Sequence, residues 1–261
     1  MATTRAGRPP MYQQIADVFR QRIASGALVA GDRLPTEAEL SEEFEVGRGT
    51  ARQALGILVN EGLIEAARPR GYFVRERRPM VFRPQAEFRA RPYSEEMDAF
   101  VTEHSADGRQ ASQRIDVSIV EPPANIAKRL NLKPGELTAV RQRVRWLDGE
   151  PFNLNDSYFP LGIVQDSEIM RPADIVRGAN KVLAELGHLQ VRAIDELYVR
   201  MPTPEEAKRL ELGAGTPVAE HVRTGYTAEG LPVRVAVSIL PGDRHVITYE
   251  QEREQQDADA N

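Results

Sequence analysis

Arg48 and Arg52 stand four residues apart in the stretch EVGRGTARQAL, which runs from Glu45 to Leu55. Four residues make about one helical turn, so both guanidinium groups leave a helix on the same side, with Gly49 and Gln53 beside them. Ala51, Ala54, Leu55 and Leu58 share the other side. Gly47 and Gly49 leave the start of that helix bare, and a helix N-terminus attracts negative charge. The chemistry this favours is anion binding, with a phosphate approached closely by the backbone because glycine carries no side chain. In isolation such an arginine pair is an ordinary solvated surface, and the elements around it must decide.

Those elements form a recognisable order. Pro10 precedes MYQQIADVFRQRIASG, where Ile15, Val18, Phe19 and Ile23 recur at helical spacing until Ser25 and Gly26 stop the pattern. LPTEAELSEEF follows, with Thr36 as N-cap, Glu39 completing a capping box, and Leu40 and Phe44 on one face. Glu45 to Gly47 then turn the chain into the helix of the two arginines, a helix-turn-helix arrangement. Asn60-Glu61-Gly62 reads as the end of that helix. LIEAARPRGYFVRE reads as two short strands joined by the turn Arg68 to Gly71, which makes the unit a winged helix.

The composition narrows the classes of function. The 261 residues allow one large domain or two ordinary ones, and the 41% hydrophobic content is enough for a packed core. No apolar run approaches a membrane span or a secretory signal, so a soluble, cytoplasmic protein is expected. The absence of cysteine excludes disulfides, thiolate metal sites and cysteine nucleophiles. His104, His188, His221 and His245 lie too far apart for a local H-E-x-x-H site, and neither a G-x-x-x-x-G-K-[ST] loop nor a G-x-S-x-G elbow is present. No cofactor, metal or catalytic residue is expected, and an enzyme is the minority reading. The net charge of −5 divides unevenly: residues 1–78 hold 12 Lys/Arg against 10 Asp/Glu, and the rest hold 22 against 29. RPRGYFVRERR, from Arg68 to Arg78, carries most of the early surplus, while Glu37, Glu39, Glu42 and Glu43 read as a solvated helix face.

The stretch LPTEAELSEEFEVGRGTARQALGILVNEGLIEAARPRGYFV resembles the DNA-binding domain of GntR-family bacterial transcription regulators, over about residues 10 to 75. The resemblance implies that Arg48, Gly49, Thr50 and Arg52 meet the major groove and the backbone, and that the hairpin tip at Arg70 and Gly71 enters the minor groove. Thr36, Gln53 and Arg68 complete the candidate DNA contacts. Ala38 stands where many relatives carry a contacting arginine, which implies fewer contacts or a different operator. Gly47 and Gly49 keep the helix start thin against the sugar-phosphate rails, and the two arginines divide between phosphates and a guanine edge. Which of them reads a base is not fixed by one sequence.

The second half repeats itself. AKRLNLKPGELTAVRQR (Ala127 to Arg143) and AKRLELGAGTPVAEHVR (Ala207 to Arg223) agree at eight of seventeen positions at an offset of 80, where chance gives about one. At an offset of 81 the match continues through Gly149 and Gly230, Pro151 and Pro232, Ser157 and Ser238, and Pro160 and Pro241. Each unit reads strand, short helix, strand, strand: RIDVSIV and AIDELYV alternate as first strands, and DGEP and AEGLP mark hairpin turns. NKVLAELG supplies a helix between the units. The expected result is one antiparallel sheet with helices against it, approximate twofold symmetry, and a pocket at the pseudo-axis.

EPPANIAKRLNLKPGE, RQRVRWLDGEPFNLNDSYFP and PVRVAVSILPGDR resemble the UTRA effector-binding domain of the HutC subfamily of GntR regulators, over about residues 92 to 250. The resemblance implies a chorismate-lyase-like fold, homodimers and a small-molecule pocket, with ligands that include sugar phosphates and organic acids. The effector candidates it supplies are Arg143 and Arg145, then Asn155, Glu196, Tyr198 and Arg223. Asn155 and Arg234 stand where many relatives carry glutamate, which disfavours an amino-sugar phosphate and favours an anionic or neutral effector. A two-residue Asp148-Gly149 turn pairs Arg145 with Phe152, which puts Asn155 on the face opposite the arginines unless a bulge intervenes. By alternation alone, Arg143 and Arg145 are equally well a wet cationic face over an inner Val144 and Trp146.

The expected organisation is α+β: an N-terminal winged helix-turn-helix domain over 1–75, a linker over 76–91, a chorismate-lyase-like antiparallel sheet with helices over 92–250, and a disordered polar tail over 251–261. The expected function is a ligand-responsive regulator, a repressor that binds twofold operator DNA as a homodimer and is released by its effector. The competing readings are a chorismate-lyase-type enzyme fused to a DNA-binding module and a dimeric plasmid-maintenance regulator without an inducer.

Overall fold

The computed structural model of the chain describes residues 9–67, 69–75, 80–85, 99–106, 108–213 and 215–250. Arg68, most of the expected linker and the expected tail lie outside them. The chain divides into two compact units, one of residues 1–78 with 212–216 and the other of 79–211 with 217–261.

In the first unit, α1 (Met11–Ala24), α2 (Glu37–Glu43) and α3 (Arg48–Asn60) precede β1 (Ile64–Ala67) and β2 (Gly71–Val74). Their apolar stripes meet in one core: Ile15, Phe19, Leu34, Leu40, Leu55 and Leu58 are fully buried with Ala51 and Ala54. Each large side chain there contributes roughly 1.5–3 kcal/mol of burial. The Thr36 hydroxyl accepts from the Glu39 amide at 3.2 Å, and the Thr36 amide donates to the Glu39 carboxylate at 2.6 Å. The expected capping box is therefore in place at the start of α2. β1 and β2 pair antiparallel from Ile64 opposite Val74 to Ala67 opposite Gly71, and Arg33 bridges to Phe73 on the outer side.

The second unit begins with a difference from expectation. Met80–Phe82, inside the stretch read as a linker, forms strand β3, and α4 (Ala99–Ala106) follows. β3 pairs in parallel with β10 (His245–Ile247). Its partner lies more than 160 residues away, so no local pattern announces it. Between them, β4 (Ala111–Val120), α5 (Ala124–Arg129), β5 (Thr138–Leu147) and β6 (Glu150–Pro160) form the first repeat, followed by α6 (Leu161–Val164) and α7 (Ala179–Glu185). β7 (Arg192–Arg200), α8 (Pro204–Arg209), β8 (Val218–Tyr226) and β9 (Pro232–Pro241) form the second. The six long strands make one antiparallel sheet in the order β4-β5-β6-β9-β8-β7.

The repeat and the register share one axis. Asp156 lies opposite Val237, and these are alignment mates; Asn155 opposite Ser238 is mirrored by Ser157 opposite Ala236. The pseudo-twofold axis therefore passes between β6 and β9 at Asp156 and Val237. One face of the sheet packs on α5, with Ile126 and Leu130 against Val222 and Val235. Phe159 on β6 packs with Val164, Ile169, Val182 and Leu183 in a separate apolar cluster that also takes in Ala139 and Val233.

Candidate functional site

In the first unit, α3 starts at Arg48 with Gly47 as an N-cap that makes no side-chain cap. Ala51, Ala54, Leu55 and Leu58 are buried, while Arg48, Gly49, Arg52 and Gln53 are exposed and Thr50 is half-buried. A Cβ at Gly47 or Gly49 would meet nothing within 4 Å, and neither has a left-handed backbone. The fold itself does not demand glycine there; open surface is what both positions supply. Gly71 differs, with φ +115° at the start of β2, a conformation that L side chains rarely adopt. Arg70 is exposed, its guanidinium 5.8 Å from the Phe73 ring centre.

One contact was not expected. Arg52 donates through Nε at 3.0 Å and Nη2 at 2.8 Å to the Glu37 carboxylate, so Glu37 is not part of a plain solvated face. The Tyr72 hydroxyl on β2 lies 3.5 Å from the same carboxylate. Hydrogen bonding from Arg52 holds the Glu37 carboxyl below its ordinary range. Both sequence positions were legible, but an ion pair across fifteen residues depends on the crossing of α2 and α3.

In the second unit, the register settles which strand residues share a face. β5 carries Arg141, Arg143 and Arg145 on one side, and Arg143 lies opposite Asn155. Arg145 pairs with Asn153 rather than Phe152, because the register shifts between Arg145 and Trp146. A bulge adds one residue and restores the common face. Arg143 Nη1 donates to Asn155 Oδ1 at 3.2 Å and to the Ser157 hydroxyl at 3.3 Å, and Asn155 Nδ2 donates to the Ser238 hydroxyl at 2.9 Å. Arg234 Nη2 reaches the same Ser157 hydroxyl at 3.2 Å. Arg143 is 6% exposed and Arg141 fully buried, so the wet-face reading of this strand is wrong. Arg141 is committed to structure, donating to the carbonyls of Ile169, Arg171 and Ala173 at 2.6–2.8 Å.

Arg145 stands off from this cluster, donating to Gln113 at 3.2 Å with its guanidinium 4.7 Å from the Phe100 ring centre. Arg223 is clamped by Asp195 at 2.7 Å through both Nε and Nη2, and its Nη1 donates to the Pro84 carbonyl at 2.5 Å. Burial disfavours the Asp195 carboxylate, but hydrogen bonds from Arg223 and His221 outweigh it and hold the carboxyl far below its ordinary range.

Glu196 and Tyr198 are not brought to this face. Asp195 is the residue opposite Arg223, and Glu196 is opposite Val222, so alternation sends Glu196 and Tyr198 to the helix side of the sheet. There Glu196 bonds Arg129 at 2.8 Å and accepts from the Tyr198 hydroxyl at 2.6 Å. Sequence reading also missed Asn153, which is fully buried on the arginine face with both amide atoms unpartnered among the described residues. Its place two residues before Asn155 was the available signal, hidden by the unseen bulge. Together, buried Arg143, Asn155 and Ser157 and half-buried Arg234 form a set rich in donors, suited to an anionic or strongly polar group. No group of His, Cys, Asp or Glu among the described residues is arranged to hold a metal ion.

Comparison with known proteins adds an independent line. Residues 11–74 match the family model for bacterial regulatory proteins of the gntR family, and residues 106–246 match the UTRA domain. The mannosyl-D-glycerate transport/metabolism system repressor MngR of Escherichia coli K12 is 29% identical, covering 86% of this chain and 88% of its own. The HTH-type transcriptional repressor NagR of Bacillus subtilis 168 is 29% identical, with 94% and 96% covered. A crystal structure of a GntR-family transcriptional regulator aligns with a TM-score of 0.63 at 27% identity, covering 94% of this chain and 98% of that one.

Proposed function

The chain belongs to the GntR family of bacterial regulators and carries a UTRA domain, and from that premise we propose that it is a repressor released from operator DNA by an anionic or neutral small molecule. The DNA-binding helix-turn-helix lies in the first unit and the effector-binding UTRA fold in the second. Among the described residues no helix is long and apolar enough to cross a membrane.

On this reading Arg48, Gly49, Thr50, Arg52 and Gln53 meet the major groove, with Thr36 at the flanking backbone and Arg68, Arg70 and Gly71 at the wing. The effector sits on the arginine face of the sheet. The observation that carries this is the convergence of buried Arg143 and half-buried Arg234 on the Ser157 hydroxyl, with Asn155 accepting from Arg143, because burying a guanidinium group is costly and it suits an anion. The name of MngR points the same way, since a mannosylglycerate carries a carboxylate. Arg145 and Arg223 then flank the ligand or hold the walls of its site, and Glu196 and Tyr198 take no part.

A homodimer on a twofold operator is the assembly we favour. β7 is an edge strand, and Ile194, Leu197 and Val199 on it are exposed, with Met201 just after it. An apolar edge of that length is the kind of surface that pairs with a second copy. The working domain limits are 1–75 for DNA binding and 80–250 for effector binding and dimerisation, the latter moved forward to include β3.

The test is a thermal-shift screen of sugar phosphates and carboxylated sugars, followed by operator release measured by fluorescence anisotropy. Binding that releases DNA without turnover supports the reading. Turnover would favour the enzyme, and no stabilisation by any compound would favour a regulator without an inducer.

A further inference from the structure

A second cleft lies on the opposite face of the same sheet. It has a volume of about 310 Å³ and sits over the pseudo-axis between α5 and α8. Its lining is drawn from both repeats: Asn125 and Glu205, Ile126 and Glu206, Asp156 and Val237, and Tyr158 and Ile239 are alignment mates that all border it. The backbone is duplicated and the chemistry is not. The second repeat places Glu205 and Glu206 where the first has Asn125 and Ile126, so one wall is acidic and the other is polar to apolar.

The charges on the lining do not balance. Asp156, Glu205, Glu206 and Glu220 face two guanidinium groups, those of Arg200 and Arg209. Arg200 is consumed by Glu206 at 2.7 Å and Glu220 at 2.5 Å, and Arg209 lies 3.6 Å from Glu205. Asp156, on the axis itself, has Gln142 at 3.3 Å from Oδ2 and no hydrogen-bond partner for its buried Oδ1 among the described residues. Leu154, Val237 and Ile239 supply apolar surface beside it.

We infer that this cleft is a second small-molecule site, distinct from the arginine face, for an organic monocation: an ammonium or guanidinium group at Asp156 with an apolar stem along Val237 and Ile239. Its volume falls at the lower end of ordinary ligand pockets. A cation there supplies the missing partner of Asp156 and offsets the excess of carboxylates.

Calorimetric titration of the full chain with hexylammonium chloride tests this, with sodium hexanoate as the anionic control. The expected result is saturable binding of one hexylammonium per chain and none of hexanoate. Asp156→Asn weakens it about tenfold or more, and Val237→Trp fills the cleft and abolishes it. Asp156→Asn is expected to fold, because burial already pushes that carboxyl towards its neutral form, and a melting curve checks this. Absence of saturable binding by the wild type overturns the inference. So does wild-type affinity in both cleft variants.

Discussion

Glu37 grips Arg52 through two donors, Nε and Nη2, from the adjacent helix of the first unit. Nη1 and the second hydrogen of Nη2 are left over by this pairing, on a side chain that is 71% exposed. A guanidinium already held loses less rotamer freedom on contact, and on the proposed reading Glu37 also sets a negative charge beside the phosphates. Glu37→Gln is therefore expected to raise affinity for random DNA and lower it for the operator. Arg48→Ala and Arg52→Ala each weaken operator binding, and whichever reads a guanine narrows the gap to random DNA by about 1–3 kcal/mol. Anisotropy with both duplexes at one salt concentration measures this. Wild-type operator affinity in both folded arginine variants would remove α3 from recognition.

At the wing, Gly71 combines a left-handed backbone with room for a side chain. A Cβ there would lie 3.5 Å from Arg33 Nε, an ordinary contact, while φ is +115°. Gly71→Ala is thus expected to strain the hairpin by about 1–3 kcal/mol, and Gly71→Glu adds repulsion from the phosphates. Melting curves and operator titrations separate the two: alanine lowers both stability and affinity, and glutamate lowers affinity further. Unchanged binding in both variants would take the wing out of the mechanism.

On the arginine face, Asn155→Glu puts a carboxylate where an amide oxygen now accepts from Arg143 at 3.2 Å. An ion pair there satisfies the guanidinium and repels an anion. The expected outcome is about a tenfold or greater rise in the effector concentration needed for DNA release, with operator affinity unchanged in its absence. An unaltered release curve would place the effector elsewhere.

The sequence made the local elements readable and left the non-local ones hidden. Thr36 and Glu39 announced their capping box, and the spacing of Ala51, Leu55 and Leu58 oriented α3. The repeat announced an approximate twofold, and the register of β6 against β9 places its axis at Asp156 and Val237. The face of Asn155 is ambiguous from sequence because a single bulged residue, Phe152 on β6, reverses every side chain beyond it. The resemblance points to Glu196, whereas the pairing of β7 with β8 puts its neighbour Asp195 opposite Arg223. Met80–Phe82 read as linker because a three-residue strand has too little pattern to stand out, and its partner is His245–Ile247.

His245 gives the second unit a predictable response to acid. Burial pushes its pKa down to about 4, with the Pro241 carbonyl accepting from Nδ1 at 3.0 Å. The unfolded chain takes up this proton near the ordinary histidine value, before the folded one does. Stability is therefore full above that value and falls as pH drops towards 4, by roughly 1.4 kcal/mol per unit within the window. His245→Phe, packed against Phe152, is expected to flatten that part of the melting-temperature profile. Superimposable profiles for the two proteins would contradict the assignment.

The most direct measurement is an effector titration of a preformed protein–operator complex, followed by fluorescence anisotropy, using a labelled duplex from upstream of the gene and a compound identified by thermal shift. Wild type and Arg143→Ala are expected to bind the duplex alike without effector. The effector then releases wild type, with an affinity change of roughly 5- to 150-fold, while Arg143→Ala stays bound at the same concentration. Release of both proteins along one curve would contradict an effector site on the arginine face and return Arg143 to a purely structural role.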